Sequence, residues 1–555
     1  MKTLLVGINS KFIHSNLAVR YLKAYTKKLN YESEILEVTI NDSIENIVRA
    51  IILKKPNIVG FSTYIWNLEY VEKISRIIKE IDSNIEIFYG GPEVSYDSLS
   101  FLSNSAGDYV IEGEGEETFY EFMKNKINGD SLNSIKGLYI KNQDGSINYA
   151  GQRALIDMNS IVFPYNDKDD LKNKIVYYEA SRGCPFRCKY CLSSTTHGVR
   201  FLPVERVKRE LKFLIDQDVK LIKFVDRTFN CNSKFAMEIW RFLIEEGSNT
   251  CFHFEISADI LKHEEIELLA KAKNGQFQFE VGVQTTNNEV LKNINRFVNF
   301  DDIKEKVIEL ESIKNIKQHL DLIAGLPGED LNSFKKSFDD VYSIKPEEIQ
   351  LGFLKLLKGS SMREEAEKWG MKFSPYPPYE ILRTNDISYE EILILKNTEK
   401  VVDKYYNSRK FTNIINFLIK KWDSPFRFFY ELGQYFYDKG YFNINISNNE
   451  YYKVFLDFNM EMLREDEEPL KSIVRYDYLS FNKKRGIPDF LKSDITKTEE
   501  RVIKENIKND IGTWDNSWTI DKFVIDMEEF EKNKKVIIKN IYTIFKGIDR
   551  IFVEY

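Results

Sequence analysis

The sequence has only five cysteines in 555 residues. That is too few for a disulfide scaffold, and any cluster among them points instead to a metal or catalytic site in a reducing compartment. A basic excess is also missing. The 79 Lys and Arg residues face 86 Asp and Glu, a formal net charge of −7, which argues mildly against a nucleic-acid phosphate binder. No stretch approaches the roughly 18 apolar residues of a membrane span. The apolar start, Met1 to Ile8, is too short for a signal-peptide core. Lipidation boxes and solenoid-period repeats are absent as well. These absences leave a cytoplasmic protein with no membrane partner. What is present is ordinary globular composition, 43% hydrophobic, 14% aromatic and 30% charged. The length suggests three or four domains at about 150 residues each.

An α/β protein is expected. Over the first 125 residues short apolar runs alternate with amphipathic stretches: Leu4–Ile8 then Leu17–Leu29, Glu34–Val38 then Ile44–Leu53, Ile58–Ser62 then Leu68–Ile78, Glu86–Tyr89, and Tyr109–Ile111 then Glu116–Lys124. The alternation predicts a doubly wound, Rossmann-like parallel sheet over residues 1–130. Asp144-Gly145 marks a hairpin inside a linker at 131–170. Between 171 and 373 six further strands are expected, Ile175–Ala180, Leu221–Val225, Phe252–Ile256, Phe277–Val283, Leu320–Ala324 and Ile349–Leu356. They suit a partial (β/α)6 barrel of the TIM type, with its site at the C-terminal strand ends. Ser374-Pro375-Tyr376-Pro377-Pro378 breaks the chain again, and 374–555 reads as a helical, aromatic-rich domain. The aromatics of Pro425–Phe442 read as packed core.

Three cysteines lie together, Cys184, Cys188 and Cys191, just after the first barrel strand. Three thiolates can hold three irons of a [4Fe–4S] cluster and leave the fourth iron open. A zinc knuckle or a fully ligated cluster would need a fourth ligand, such as His197 or Cys231. With Tyr190 directly before the last cysteine, the motif resembles the signature of radical S-adenosylmethionine (SAM) enzymes, in which SAM chelates the open iron. Phe254-Glu255-Ile256, Glu280-Val281-Gly282-Val283-Gln284, Asn295-Arg296 and Asp321-Leu322-Ile323-Ala324-Gly325 follow in the order seen in the branch that includes the oxygen-independent coproporphyrinogen oxidases and the methylthiotransferases. The resemblance implies SAM contacts at Tyr190, Glu255, Glu280, Gln284, Arg296 and Asp321. The Gly-Gly-Glu-type segment that many members carry after the second strand is not evident. Asp226 beside the same mouth reads either as loop support or as a ligand contact. Cys231 and Cys251 read as structural cysteines.

The first domain has no Gly-rich phosphate turn after its first strand, which argues against a dinucleotide. Small residues instead end adjacent strands, at Ser62 and Thr63, at Gly90 and Gly91, and at Glu112 and Gly113, and let a large flat ligand approach the backbone. They resemble the cobalamin-binding domain of cobalamin-dependent radical SAM enzymes, with His14 and Asn16 placed near the cofactor. The Asp-x-His-x-x-Gly motif is absent, since Phe12 and Leu17 occupy its outer positions. Cobalamin bound without a protein histidine is therefore expected. The order of the whole chain resembles the subgroup of this family with a C-terminal domain of unknown function.

That resemblance implies three cofactors, a [4Fe–4S] cluster on the three cysteines, SAM and cobalamin. It implies reductive cleavage of SAM to a 5′-deoxyadenosyl radical and methylation of an unactivated carbon on a small-molecule substrate. The electron would come from a donor such as flavodoxin or ferredoxin, under low oxygen. A cobalamin-dependent radical cyclisation or rearrangement without methyl transfer is the alternative reaction. A non-catalytic Fe–S or cobalamin sensor is the alternative class.

Overall fold

The computed structural model describes residues 1–464, 466–515, 517–547 and 549–554. They form two compact units, Met1–Asp330 with Phe353–Ser388, and Leu331–Gly352 with Tyr389–Tyr555.

The first unit begins with the expected alternation: β1 (Lys2–Asn9), α1 (Leu17–Tyr25), β2 (Glu32–Thr39), α2 (Ile44–Leu53), β3 (Ile58–Ser62), α3 (Leu68–Ile81), β4 (Glu86–Gly90), α4 (Pro92–Ser95), α5 (Ser98–Asn104), β5 (Tyr109–Ile111) and α6 (Glu116–Asn128). Leu4, Leu5, Val6 and Ile8 of β1 are all fully buried, as a strand covered on both faces requires. Asn16 starts α1 by accepting from the Val19 amide through its side chain. The strand order is β2-β1-β3-β4-β5, all parallel. The order reverses between β1 and β3, so the loops leaving those strands flank a topological switch point, where open α/β sheets leave a ligand crevice.

The stretch expected as a linker is partly sheet. β6 (Leu138–Lys141) and β7 (Ile147–Tyr149) continue the sheet antiparallel from β5, with Ile111 opposite Leu138. Pairing covers the otherwise open edge of β5 and buries Leu138. Further along, Tyr165 is buried and donates to the Tyr177 carbonyl at 2.6 Å, and Asp169 pairs with Arg20 at 2.9 Å.

The second sheet of this unit contains β8 (Ile175–Tyr178), β11 (Leu221–Phe224), β12 (Cys251–Ile256), β13 (Phe277–Gln284) and β14 (Ile316–Ala324), parallel neighbours in sequence order. Between β8 and β11 lies an antiparallel pair that periodicity did not reveal, β9 (Ser181–Cys184) with β10 (Gly198–Phe201). β14 starts at Ile316, four residues before its expected start at Leu320. Its early polar residues hid it: Gln318 is buried and its amide donates to the Val307 carbonyl at 3.1 Å. The sixth expected strand forms over Glu348–Phe353.

The second unit takes in Leu331–Gly352, although a boundary was expected only at 374–378. The reason is aromatic packing, since Phe338 on the helix Leu331–Ile344 meets Phe426 and Phe429 edge-on at 5.7 and 5.8 Å. The helix Pro425–Asp438 buries Phe426, Phe428, Phe429, Tyr435 and Phe436, the core reading of that segment. In the helix Glu467–Phe481 the buried Asp477 carboxylate accepts from the Asn413 and Ile414 amides at 2.9 and 3.1 Å and from the Asn413 side chain at 2.8 Å. The unit is mostly helical, as expected, and adds an antiparallel sheet of Thr519–Ile525, Ile538–Lys546 and Asp549–Val553. Asp521 disguises the first of these strands. It is buried there 4.0 Å from both the Arg475 and the Lys484 nitrogens, a compensation that only the tertiary fold supplies.

Candidate functional site

The site begins with the turn that carries the cysteines. Gly183 has φ +103°, and a Cβ there would stand 2.1 Å from the Gly198 carbonyl oxygen, so the β9–β10 pairing needs glycine at this point. The Lys189 amide donates to the Ile294 carbonyl at 3.0 Å, and the Asn295 side chain donates to the Arg187 carbonyl at 2.8 Å. Asp226 turns inward, accepting from the Ala180 amide at 3.0 Å and the Ser181 hydroxyl at 2.5 Å, so it supports the loop. Burial pushes its carboxyl up to about 7 despite those bonds.

Cys184, Cys188 and Cys191 are free thiols. Cys184 Sγ lies 3.6 Å from Thr228 Oγ1, and Arg296 Nη1 lies 3.8 Å from Cys188 Sγ. Burial raises the Cys188 thiol, the Arg296 guanidinium opposes this, and Cys191 and Cys184 add to it, so the three sulfurs share one electrostatic neighbourhood. Among the described residues no three His, Cys, Asp or Glu side chains converge to hold one ion, as a zinc knuckle completed by His197 would demand. Ligands of a polynuclear cluster are spread over separate irons and need no such convergence. Cys231 feels the charge of Cys184 without joining the group, and Cys251 is half-buried rather than core.

Beside the cysteines, the ends of β12, β13 and β14 carry a row of ionisable groups. Glu255 stands opposite Glu280 in the ladder, and Gly282 stands opposite Asp321. Burial works against ionising Glu280, but His253 Nε2 at 3.0 Å and Lys223 Nζ at 3.3 Å outweigh it and hold the carboxyl below its ordinary range. Asp321 is pushed well up by burial and by the neighbouring Glu280 and Glu255. Gln284 ends β13 at φ +70°, a left-handed conformation rare for a residue with a side chain. Arg296 Nη2 donates to the Gly282 carbonyl at 2.6 Å. Tyr190 sits by Cys188 and Arg296, its phenol raised by burial and by the Cys188 sulfur.

Gln284 Oε1, Arg296 Nε and Asp321 Oδ1 are buried with no hydrogen-bond partner among the described residues. Orphaned buried polar atoms are costly and rare. Here an acceptor, a cationic donor and a carboxyl oxygen are grouped next to three thiols, a set that fits a ligand carrying an ammonium, a carboxylate and hydroxyls, as SAM does.

A cavity of about 880 Å³ opens from the switch point of the first sheet to the cysteine turn. This is near the upper end of the usual range for small-molecule and cofactor sites. His14, Asn16, Ser62, Gly90, Gly91, Glu112 and Gly113 all line it, while Gly183, Leu192 and Arg227 line its far side. At Gly113 a Cβ would meet nothing within 4 Å, and at Gly90 nothing nearer than 3.8 Å, so these positions leave room for a broad ligand. Thr63 is a correction, for it does not line the cavity. It is fully buried, and its hydroxyl lies 3.5 Å from the Phe61 carbonyl. Asn16 also has structural duties, because its amide donates to Ser62 Oγ at 2.9 Å while it caps α1. His14 stacks on Tyr177, whose hydroxyl lies 2.7 Å from its Nδ1. Burial and then Lys11, Lys223 and Lys174 lower the His14 pKa, which favours the neutral ring. Sequence reading missed Trp66, Tyr96 and Arg182 on the lining, whereas Arg227 belongs to the segment with Asp226 that was expected beside the mouth. Tyr64 and Trp66 stack at 4.4 Å with 5° between their planes, and their spacing of two residues past β3 was the available signal.

Arg182, two residues before Cys184, joins the walls. It pairs with Glu116 at 2.5 Å and Glu179 at 2.9 Å, and approaches Glu114 at 3.6 Å. The cavity lip after β5 is thereby tied to the strand that delivers the first cysteine.

Comparison with known proteins agrees with this layout. Residues 3–123 match the model of the B12 binding domain, 178–341 that of the radical SAM superfamily, and 367–546 that of a protein of unknown function, DUF4080. The chain is 32% identical over 243 residues to an uncharacterized methyltransferase, PH0819, of Pyrococcus horikoshii, covering 42% of this chain and 52% of that protein. It is 23% identical over 393 residues to the cobalamin-dependent radical SAM methyltransferase TokK of Streptomyces tokunonensis, covering 66% of this chain and 57% of TokK. The chain thus spans about half the length of these curated relatives. In fold it is similar to the cobalamin-dependent SAM radical enzyme OxsB, with TM-score 0.60 at 14% identity over 93% of this chain and 82% of that one. A B12-binding domain at the switch-point crevice, a radical SAM domain around the three cysteines and a DUF4080 region follow one another along the chain, the domain order of a B12-binding-domain-containing radical SAM protein with a C-terminal domain of unknown function.

Proposed function

We propose that this protein is a cobalamin-dependent radical SAM enzyme that methylates an unactivated carbon of a small-molecule substrate. The observation that carries the reading is the set of orphaned buried atoms at Gln284, Arg296 and Asp321, with Arg296 Nη1 3.8 Å from Cys188 Sγ in the group of three free cysteines. Cys184, Cys188 and Cys191 would hold a [4Fe–4S] cluster, and the crevice lined by Ser62, Gly90, Gly91, Glu112 and Gly113 would hold cobalamin. When bound, the cluster and SAM supply the 5′-deoxyadenosyl radical and cobalamin carries the methyl group. The chain's own part is alignment. Arg296 presents a guanidinium toward both Cys188 and the open SAM pocket, where it can fork onto a carboxylate. Glu280, kept ionised by His253 and Lys223, offers an acceptor for an ammonium group. Asp321, its pKa pushed up by burial and by Glu280 and Glu255, is biased toward the protonated form, in which it can donate to a hydroxyl. Among the described residues no helix is long and apolar enough to cross a membrane. A cytoplasmic setting with an external electron donor of the flavodoxin or ferredoxin type is part of this proposal.

Cys184→Ala, Cys188→Ala and Cys191→Ala should each abolish reductive release of 5′-deoxyadenosine by the anaerobically reconstituted protein. Release at the wild-type rate from any of them refutes the assignment. With SAM labelled in its methyl group, label recovered in the substrate supports methylation. Product formed without label supports the cyclisation or rearrangement instead.

A further inference from the structure

Among the described residues that line the cavity, one cation is largely uncommitted. Its carboxylates are all engaged: Glu112 receives the Tyr149 hydroxyl, Glu114 is held by Arg200 and the Ile156 amide, and Glu116 and Glu179 share Arg182. Arg182 is committed to that arrangement, donating to Glu116 and Glu179, and is only 12% exposed. Arg227 differs. It follows β11, and because Asp226 before it turns inward to Ala180 and Ser181, the Arg227 side chain reaches the cavity lining. Its side chain is 53% exposed, and its one ion pair is a long one, Nη1 to Glu255 Oε1 at 3.4 Å. A guanidinium has five N–H donors, so most of this fork has no protein acceptor.

The surroundings fix what such a fork can serve. Arg227 feels the charge of Glu255 first and then of Cys191, and it acts in turn on the Tyr64 phenol across the cavity. It therefore stands where the SAM pocket, the cysteine turn and the cavity meet. A planar cation with free parallel donors on a cavity wall selects an oxyanion that it can grip with two hydrogen bonds.

From this geometry we infer that Arg227 is a specificity-determining residue that anchors a carboxylate or phosphate group of the substrate, so that the enzyme acts on an anionic small molecule. The inference rests on the radical SAM reading only for calling the ligand a substrate; the anion site itself is independent of it.

The test uses the full-length protein loaded with cluster and cobalamin under anoxic conditions, titrated calorimetrically with malonate, inorganic phosphate and the neutral control malonamide. Malonate or phosphate should bind saturably and malonamide should not, and the preferred anion names the group. Arg227→Gln should weaken that binding at least tenfold, Arg227→Lys should restore part of it, and the SAM affinity of both variants should stay within twofold of wild type. Absence of saturable anion binding to the wild type, or equal binding by Arg227→Gln, overturns the inference. So does loss of SAM affinity in Arg227→Gln with anion binding intact, which would assign the residue to the SAM pocket. Release of 5′-deoxyadenosine by the wild type is followed in parallel, and its failure counts against the radical SAM reading without touching the anion titration.

Discussion

Asp226 and Gly183 show how much depends on single residues around the cysteine turn. The Asp226 carboxyl is raised to about 7 in the folded protein from an ordinary value of 3.8, so between those values the folded state binds more protons than the unfolded state. Its contribution to stability is therefore present at acidic pH and declines as pH rises from about 4 to about 7. Asp226→Asn should remove that part of the pH dependence, which thermal unfolding midpoints at pH 5 and pH 8 will show as a smaller difference than in wild type. Gly183→Ala meets both a positive φ and the Gly198 carbonyl. We expect a cost of about 2 kcal/mol and, with the turn displaced, lower iron incorporation on anaerobic reconstitution. Gln284 is the opposite case, a strained residue with a side chain, and its left-handed backbone is what aims an amide into the pocket.

Between elements, the Arg182 network joins the loop after β5 to β9 through Glu116, Glu114 and Glu179. Removing the cation from three buried carboxylates is far costlier than losing a surface pair, on the order of 3 kcal/mol. Arg182→Gln should weaken hydroxocobalamin binding, followed by its visible absorbance, and Arg182→Lys should recover only part because it lacks the planar fork. Unchanged cobalamin affinity in Arg182→Gln would show that the loop after β5 holds its shape without the network. The β6–β7 hairpin belongs to the same wall, since Tyr149 on β7 donates to Glu112.

Across the chain, the path between the two units matters. Leu331–Gly352 lies in the second unit, and the chain returns to the first before leaving it for good after Ser388. A truncation ending at Ser388 therefore keeps the helix Leu331–Ile344 but removes the rings of Phe426 and Phe429 against which Phe338 packs. The exposed apolar face, with Phe334, Phe338 and Val341, should make that fragment aggregate, which size-exclusion chromatography will register against the full chain. Within the second unit, Asp477 satisfies three donors at the start of the helix Thr412–Leu418. Asp477→Ala should raise hydrogen exchange of that helix while β8 to β14 stay protected.

The α/β alternation and the cysteine motif were legible in the chain because they live in local spacing: apolar periodicity, small residues at strand ends, and thiols separated by three and then two residues. Beside Cys184, the residues Glu255, Gln284 and Asp321 could be named from the order of motifs that resembles radical SAM enzymes. Long-range pairing was not legible there. Strand β10 forms through its pairing with β9, and the last three strands include polar residues, such as Asp521, that read as loop until distant cations stand beside them. Thr63 reads as a lining residue and is buried, whereas local sequence around Arg182 and Arg227 does not say which carboxylates the fold brings beside them. Arg182 meets three and donates to two of them, while Arg227 meets one at 3.4 Å, because all of those carboxylates but Glu179 come from strands and loops distant in the chain.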